Sequence, residues 1–260
     1  MSTRVQTALL ALLAVATAVF CVLALRPPEP AGSGSLVVPT ASRAPAFASS
    51  APATPSPTVA GTSPVAARPV IATGGRSKPV VAFLGDSYVA GVGAARPATR
   101  GYVGQLADTL GWDTTAATIP GGGYIAPGRG GPLIALISST DLRELDPDLV
   151  VLQAGNNDVR LAVGELRGRV VEAVEAVRAV APRAQVVVVG VLWPAAPPAT
   201  ARIADEALQA GAAAARALFS YTYDLRFDAA GGNRPNDDGY AKIAERLQSS
   251  FNDLGLVARQ

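Results

Sequence analysis

Gly85-Asp86-Ser87 follows the apolar run Val80-Val81-Ala82-Phe83-Leu84, and a serine on a sharp turn off such a run is a candidate nucleophile. Two further sets of residues follow apolar runs of their own. In Pro120-Gly121-Gly122-Gly123, Gly121 lets a substrate approach the backbone and offers its N–H; in Gly155-Asn156-Asn157-Asp158, the Asn157 amide is a second donor. Acyl transfer needs a nucleophile, donors aimed at the oxyanion, and a base to take the nucleophile's proton. Ser87, with its own N–H, Gly121 and Asn157 supply the first two. Each also has an ordinary structural explanation when taken alone. Gly-Asp-Ser is a common turn, loop glycines are usually turn chemistry, and an asparagine in a turn often bonds its own backbone. The base is the difficulty, because the chain has no histidine.

The elements that must position these residues alternate along the chain. Apolar runs at residues 80–84, 115–119, 148–153, 185–191 and 219–223 read as five strands. Between and after them, residues 102–110, 132–145, 165–181 and 200–218 have helical spacing. A last helix carries Tyr240, Ile243, Ala244, Leu247 and Phe251 on one face. Strands that are almost unbroken apolar runs predict an α/β fold with a parallel sheet covered on both faces. Right-handed crossovers put every strand's C-terminal end on one rim, and ligand sites of open α/β sheets form there. The loops on that rim hold Ser87, Gly121, Asn157, Trp193 and the stretch before the last helix. Trp193 reads either as a sugar-stacking platform or as a loop anchor packed on the core.

Upstream of residue 78 the composition changes. Residues 8–25 are uncharged and apolar, long enough to cross most of a hydrocarbon core, so residues 1–26 read as a signal anchor or a signal peptide. No small-residue cleavage pattern precedes Arg26-Pro27-Pro28, which favours an uncleaved anchor, and Phe20 before Cys21 disfavours a lipoprotein. Either outcome makes the protein extracytoplasmic, with the membrane as a partner if the span is kept. Residues 27–77, rich in Pro, Ala, Ser and Thr, read as a disordered tether, and residues 78–260 as one domain. Of 22 basic and 20 acidic side chains, five arginines and one glutamate precede Lys78, so the domain itself is slightly acidic. It has no basic stripe, which argues against nucleic acid as a partner. One cysteine and no histidine make a zinc site improbable, and the chain has neither a dinucleotide fingerprint nor a phosphate-binding GKT or GKS, so no cofactor is expected.

The order of the Gly85–Tyr88, Gly121 and Gly155–Asp158 blocks resembles the SGNH (GDSL-like) hydrolase family over roughly residues 80–254. The resemblance implies a three-layer α/β/α, flavodoxin-like fold with a five-stranded parallel sheet. It also implies Ser87 as nucleophile, with Gly121 and Asn157 as oxyanion donors. The expected partner is an acyl ester or acylated carbohydrate. The fourth block departs from the family's D-x-x-H-P-N pattern. Here the run is Gly231-Gly232-Asn233-Arg234-Pro235-Asn236, so Gly231 stands for the aspartate and Arg234 for the histidine. A guanidinium cannot accept the serine proton at neutral pH. Three accounts are open: a catalytically impaired hydrolase that binds a ligand at the oxyanion site, an active esterase or acyltransferase using Asp228, Asp237 or Asp238 as an unorthodox base, and a non-catalytic scaffold.

Overall fold

The computed structural model describes residues 71–161 and 163–257. The apolar run at 8–25 and most of the expected tether lie outside the described residues; among those described, no helix is long and apolar enough to cross a membrane. Five strands, β1 (Val80–Gly85), β2 (Asp113–Thr118), β3 (Leu149–Gln153), β4 (Gln185–Val189) and β5 (Leu218–Ser220), form one sheet. All neighbours pair in parallel, in the order β2-β1-β3-β4-β5. The helices are α1 (Pro97–Arg100), α2 (Tyr102–Leu110), α3 (Leu133–Ser139), α4 (Leu142–Leu145), α5 (Val163–Val180), α6 (Ala199–Ala214) and α7 (Asp237–Asp253).

Strand alternation divides the core into two layers. Ala82 and Leu84, Val150 and Leu152, and Val186 and Val188 face one side, where they pack with Ile137 of α3, Leu166, Val170, Val174 and Val177 of α5 and Leu208 of α6. Val81 and Phe83, Leu149 and Val151, and Val187 and Val189 face the other, against Tyr102 and Leu106 of α2 and Ile243, Leu247 and Phe251 of α7. Both faces of β1, β3 and β4 are therefore buried, which is why these strands read as continuous apolar runs, whereas the edge strand β2 (DTTAAT) is largely exposed. The strand order reverses direction between β1 and β3, each of which leads into a loop at the point where open α/β sheets bind ligands.

Some local readings differ from the structure, among them the strand read over 219–223, which is only Leu218–Ser220. The helix expected over 132–145 is two helices. Asp141 accepts the Glu144 N–H at 3.0 Å and starts α4, while the Ser139 and Thr140 hydroxyls bond back to the Leu136 carbonyl at the end of α3. The helix read as reaching Leu218 stops at Ala214, with Arg216 at φ 53° and Leu218 already in β5. The packed unit also begins earlier than Lys78. Ile71 is buried, and the Arg76 guanidinium bonds the Asp148 carboxylate and the Asp146 carbonyl, so the stretch 71–77 belongs to it rather than to a tether.

Candidate functional site

β1 delivers a tight turn onto the rim. Asp86 is buried under it, and its Oδ1 accepts the Tyr88 N–H at 2.8 Å, an Asx turn that leaves Ser87 half-exposed at the tip. The Val92 N–H returns to the Ser87 carbonyl at 3.0 Å. The Ser87 hydroxyl and backbone N–H have no hydrogen-bond partner among the described residues. Burial pushes the Asp86 carboxyl up to about 7; the Tyr88 N–H opposes the rise and the charge of Asp158 adds to it.

After β2, Ile119-Pro120-Gly121-Gly122 makes a turn closed by the Gly122 N–H on the Ile119 carbonyl at 2.9 Å. Gly121 stands at φ 75°, the left-handed position after proline that a glycine fills without strain. It is exposed, and its N–H has no partner among the described residues.

Three successive side chains after β3 each fasten a different loop. Asn156 makes a reciprocal pair with the Leu192 backbone, donating to its carbonyl at 2.7 Å and accepting its N–H at 3.0 Å. Asn157 Nδ2 donates to the Gly122 carbonyl at 2.7 Å and lies 3.4 Å from Asp86 Oδ2. It thereby joins the serine turn to the glycine loop, so the structure brings Ser87, Gly121 and Asn157 into one neighbourhood. Asp158 is fully buried and accepts the N–H groups of Tyr124, Ile125 and Ala126 at 2.7, 3.0 and 2.8 Å. Sequence reasoning gave Asp86, Asn156 and Asp158 no role. The signal was their place inside the blocks, since a carboxylate between a strand and a turn has backbone N–H groups within reach.

The fourth block keeps its place without its chemistry. Residues 229–235 form a hairpin with an antiparallel bridge between Ala229 and Pro235, and the Ala230 N–H reaches the Arg234 carbonyl at 2.8 Å. Gly231 and Gly232, at φ 125° and 58°, make its tip. The Tyr88 hydroxyl donates to the Asn233 carbonyl, fixing the hairpin beside the serine turn. Asn236 caps α7 by accepting the Gly239 N–H at 2.8 Å, and the Tyr240 hydroxyl donates to the Val92 carbonyl at 3.0 Å. Arg234 is exposed, and its side chain makes no ion pair or hydrogen bond with any described residue.

Two of the three proposed substitute bases have partners of their own. Asp228 is exposed and paired with Lys242 Nζ at 2.7 Å. Asp237 Oδ1 accepts the Ala95 N–H at 2.8 Å, and Asp238 is exposed with no hydrogen bond. None of the three bonds to Ser87. Trp193 is half-buried and packs against the core layer of α5 and α6, as a loop anchor does. Among the described residues no three metal-ligand side chains are grouped to hold an ion.

Asn157 thus spends its amide on Gly122 and Asp86 rather than holding it open as the expected oxyanion donor, while the Ser87 and Gly121 N–H groups are open among the described residues. An open parallel sheet with a serine on the turn after β1, tied by an asparagine after β3 to the glycine loop after β2, has the architecture of the serine acyl-hydrolase folds. Within that class the chain belongs to the GDSL-like lipase/acylhydrolase family, whose sequence model matches residues 83–248. Its fold is shared by solved structures of low identity. A family two carbohydrate esterase from Cellvibrio japonicus superposes with TM-score 0.58 at 16% identity, over 69% of this chain and 63% of that one. TesA superposes with TM-score 0.56 at 21% identity, over 67% of this chain and 99% of its own. The salicylyl-acyltransferase SsfX3 from a tetracycline biosynthetic pathway superposes with TM-score 0.55 at 21% identity, over 70% and 56%. The chain thus spans less than two thirds of the esterase and of the acyltransferase. No curated protein matches it.

Proposed function

We propose that this domain binds an acyl or acylated-carbohydrate ligand at the Ser87–Gly121–Asn157 rim and turns esters over very slowly. The observation that carries the reading is the missing proton acceptor. The chain has no histidine, and Arg234 stands in the hairpin docked on the serine turn. Loss of the triad histidine from a serine protease costs about 10⁶-fold in turnover, roughly 8 kcal/mol of barrier. The free N–H groups of Ser87 and Gly121 support ligand binding over a purely structural role, because a scaffold has no use for open donors at this point. In this reading the span at 8–25 holds the protein in the membrane with the domain outside the cytoplasm.

Turnover of p-nitrophenyl acetate by the full chain, with Ser87→Ala as the blank, tests the first part. A rate only slightly above the blank, orders of magnitude below a typical esterase, is expected. A typical esterase rate that disappears in the blank would overturn it and make Asp238 and the buried Asp86 the next carboxylates to replace. Cell fractionation with N-terminal sequencing tests the second, and a soluble species beginning after residue 26 would show a cleaved signal instead.

A further inference from the structure

We propose that the rim is a receptor for a permanent anion, the carboxylate of a free acyl acid, with Arg234 as its counter-charge. This rests on the reading of the rim as a ligand site and names what that ligand carries. In a hydrolase the oxyanion donors meet full negative charge only in the transition state, and a neutral histidine beside them adds no charge to the resting site. Replacing that group by a guanidinium changes the balance. A fixed positive charge now favours a ligand that is already anionic, and its planar fork matches a carboxylate's two oxygens.

The placement supports the same conclusion. A Cβ built on Gly93 would lie 2.4 Å from the Pro235 carbonyl oxygen and 3.2 Å from Arg234 Cβ, so the root of Arg234 packs against the turn that follows Ser87. That turn folds back on the serine through the Val92 N–H, and the Tyr88 hydroxyl bonds the hairpin at Asn233. Arg234 is therefore rooted next to the turn that carries Ser87, whose backbone N–H is open among the described residues, as is that of Gly121 in the loop that Asn157 ties to the serine turn. Nearby carboxylates compete weakly. Asp228 is neutralised by Lys242, Asp237 is committed to the Ala95 N–H, and Asp238 is solvated at the first turn of α7. Asp86 lies under the serine turn, and burial holds its carboxyl up to about 7, which lowers the negative charge below the site at mildly acidic pH.

The test titrates the full chain, by calorimetry at low salt and pH 6.5, with octanoate, methyl octanoate and inorganic phosphate. Octanoate is expected to bind to the wild type, about tenfold or more weakly to Arg234→Gln, and with partial recovery in Arg234→Lys. Methyl octanoate is expected to bind both wild type and Arg234→Gln alike. Equal octanoate affinity in wild type and Arg234→Gln, with ester binding intact, overturns the anion inference and leaves the ligand-site reading standing. Failure of both octanoate and its ester to bind the wild type overturns both. Phosphate binding tighter than octanoate, and lost in Arg234→Gln, overturns the choice of a carboxylate.

Discussion

The two halves of the rim are held in place by different kinds of atoms. Between β1 and β3 the fastening is done by side chains: Asp86 on the Tyr88 N–H, Asn157 on the Gly122 carbonyl, and Asp158 on three consecutive N–H groups. In the hairpin 229–235 it is done largely by the backbone: the Asn233 carbonyl receives Tyr88, the Arg234 carbonyl receives Ala230, and the Pro235 carbonyl lies against Gly93. A side chain that also holds a loop cannot change without loosening the fold. Arg234 carries no such duty, so chemistry there can be exchanged while the architecture stays; Gly231, at φ 125°, takes a side chain only if the hairpin tip readjusts. That difference explains how a member of an acyl-hydrolase family can lose its base and keep the rest of the site in order.

The strongest way to sharpen the contrast is to put the chemistry back. Arg234→His with Gly231→Asp is expected to raise ester hydrolysis by several orders of magnitude, on the order of 10³-fold or more. Each single change should do less, because a base must be both present and held in the right tautomer. Initial rates with p-nitrophenyl acetate decide it, with Arg234→His alone as the reference; no gain in either variant would mean that the hairpin does not bring position 234 to the serine, and a gain only in the single variant that Gly231, at φ 125°, does not accept the aspartate. The opposite half should tolerate nothing comparable. Asp158→Ala leaves three N–H groups without their acceptor and is expected to cost about 3 kcal/mol or more, whereas Arg234→Ala should stay within about 0.5 kcal/mol. Urea denaturation of the two variants measures the difference directly.

The side-chain half should also carry a pH signature. The Asp86 carboxyl titrates at about 7 in the folded protein against 3.8 for an ordinary aspartate. The folded state therefore keeps a proton that the unfolded chain releases. The associated stability is fully present below about 3.8 and is lost as pH rises through 7. Between pH 5 and 7.5 this amounts to about 2 kcal/mol. Asp205, buried in α6 and pushed up to about 6, contributes with the same sign. Thermal melts of wild type should show higher stability at pH 5 than at pH 7.5, and Asp86→Asn should reduce that gap. An unchanged gap would mean that Asp86 is ionised throughout.

The sheet and the location of the site were legible because both follow from patterns that survive in one dimension. Continuous apolar runs give a doubly covered parallel sheet, and the crossover rule then places Ser87, Gly121 and Asn157 on one rim. The missing histidine was equally plain. What could not be read was where polar side chains send their hydrogen bonds. Asp158 reaches back to residues 124–126, and Asn156 reaches forward to Leu192, pairings set by the packing of loops rather than by sequence spacing. The break of the 132–145 helix was partly visible as Asp141 three residues before Glu144, a capping pattern masked by the apolar periodicity around it.

One hydrogen bond among the described residues joins the serine turn to the hairpin, and its removal is a small change with an informative readout. The Tyr88 hydroxyl donates to the Asn233 carbonyl across the boundary between the serine turn and the hairpin. Its ring is buried against Phe227 at a centroid distance of 6.2 Å, so Tyr88→Phe removes the hydroxyl and keeps the packing. Asn233 is exposed and its carbonyl can turn to water, which limits the cost to about 1 kcal/mol. In the wild-type background the substitution should leave the low rate of ester hydrolysis unchanged. In the Arg234→His, Gly231→Asp background it should lower the restored kcat by about tenfold with a smaller change in KM, because a base displaced by a fraction of an ångström still permits binding but misaligns proton transfer. If the restored variant tolerates Tyr88→Phe without loss, the hairpin is positioned by its contact with Gly93 and the α7 cap alone, and the two halves are independent.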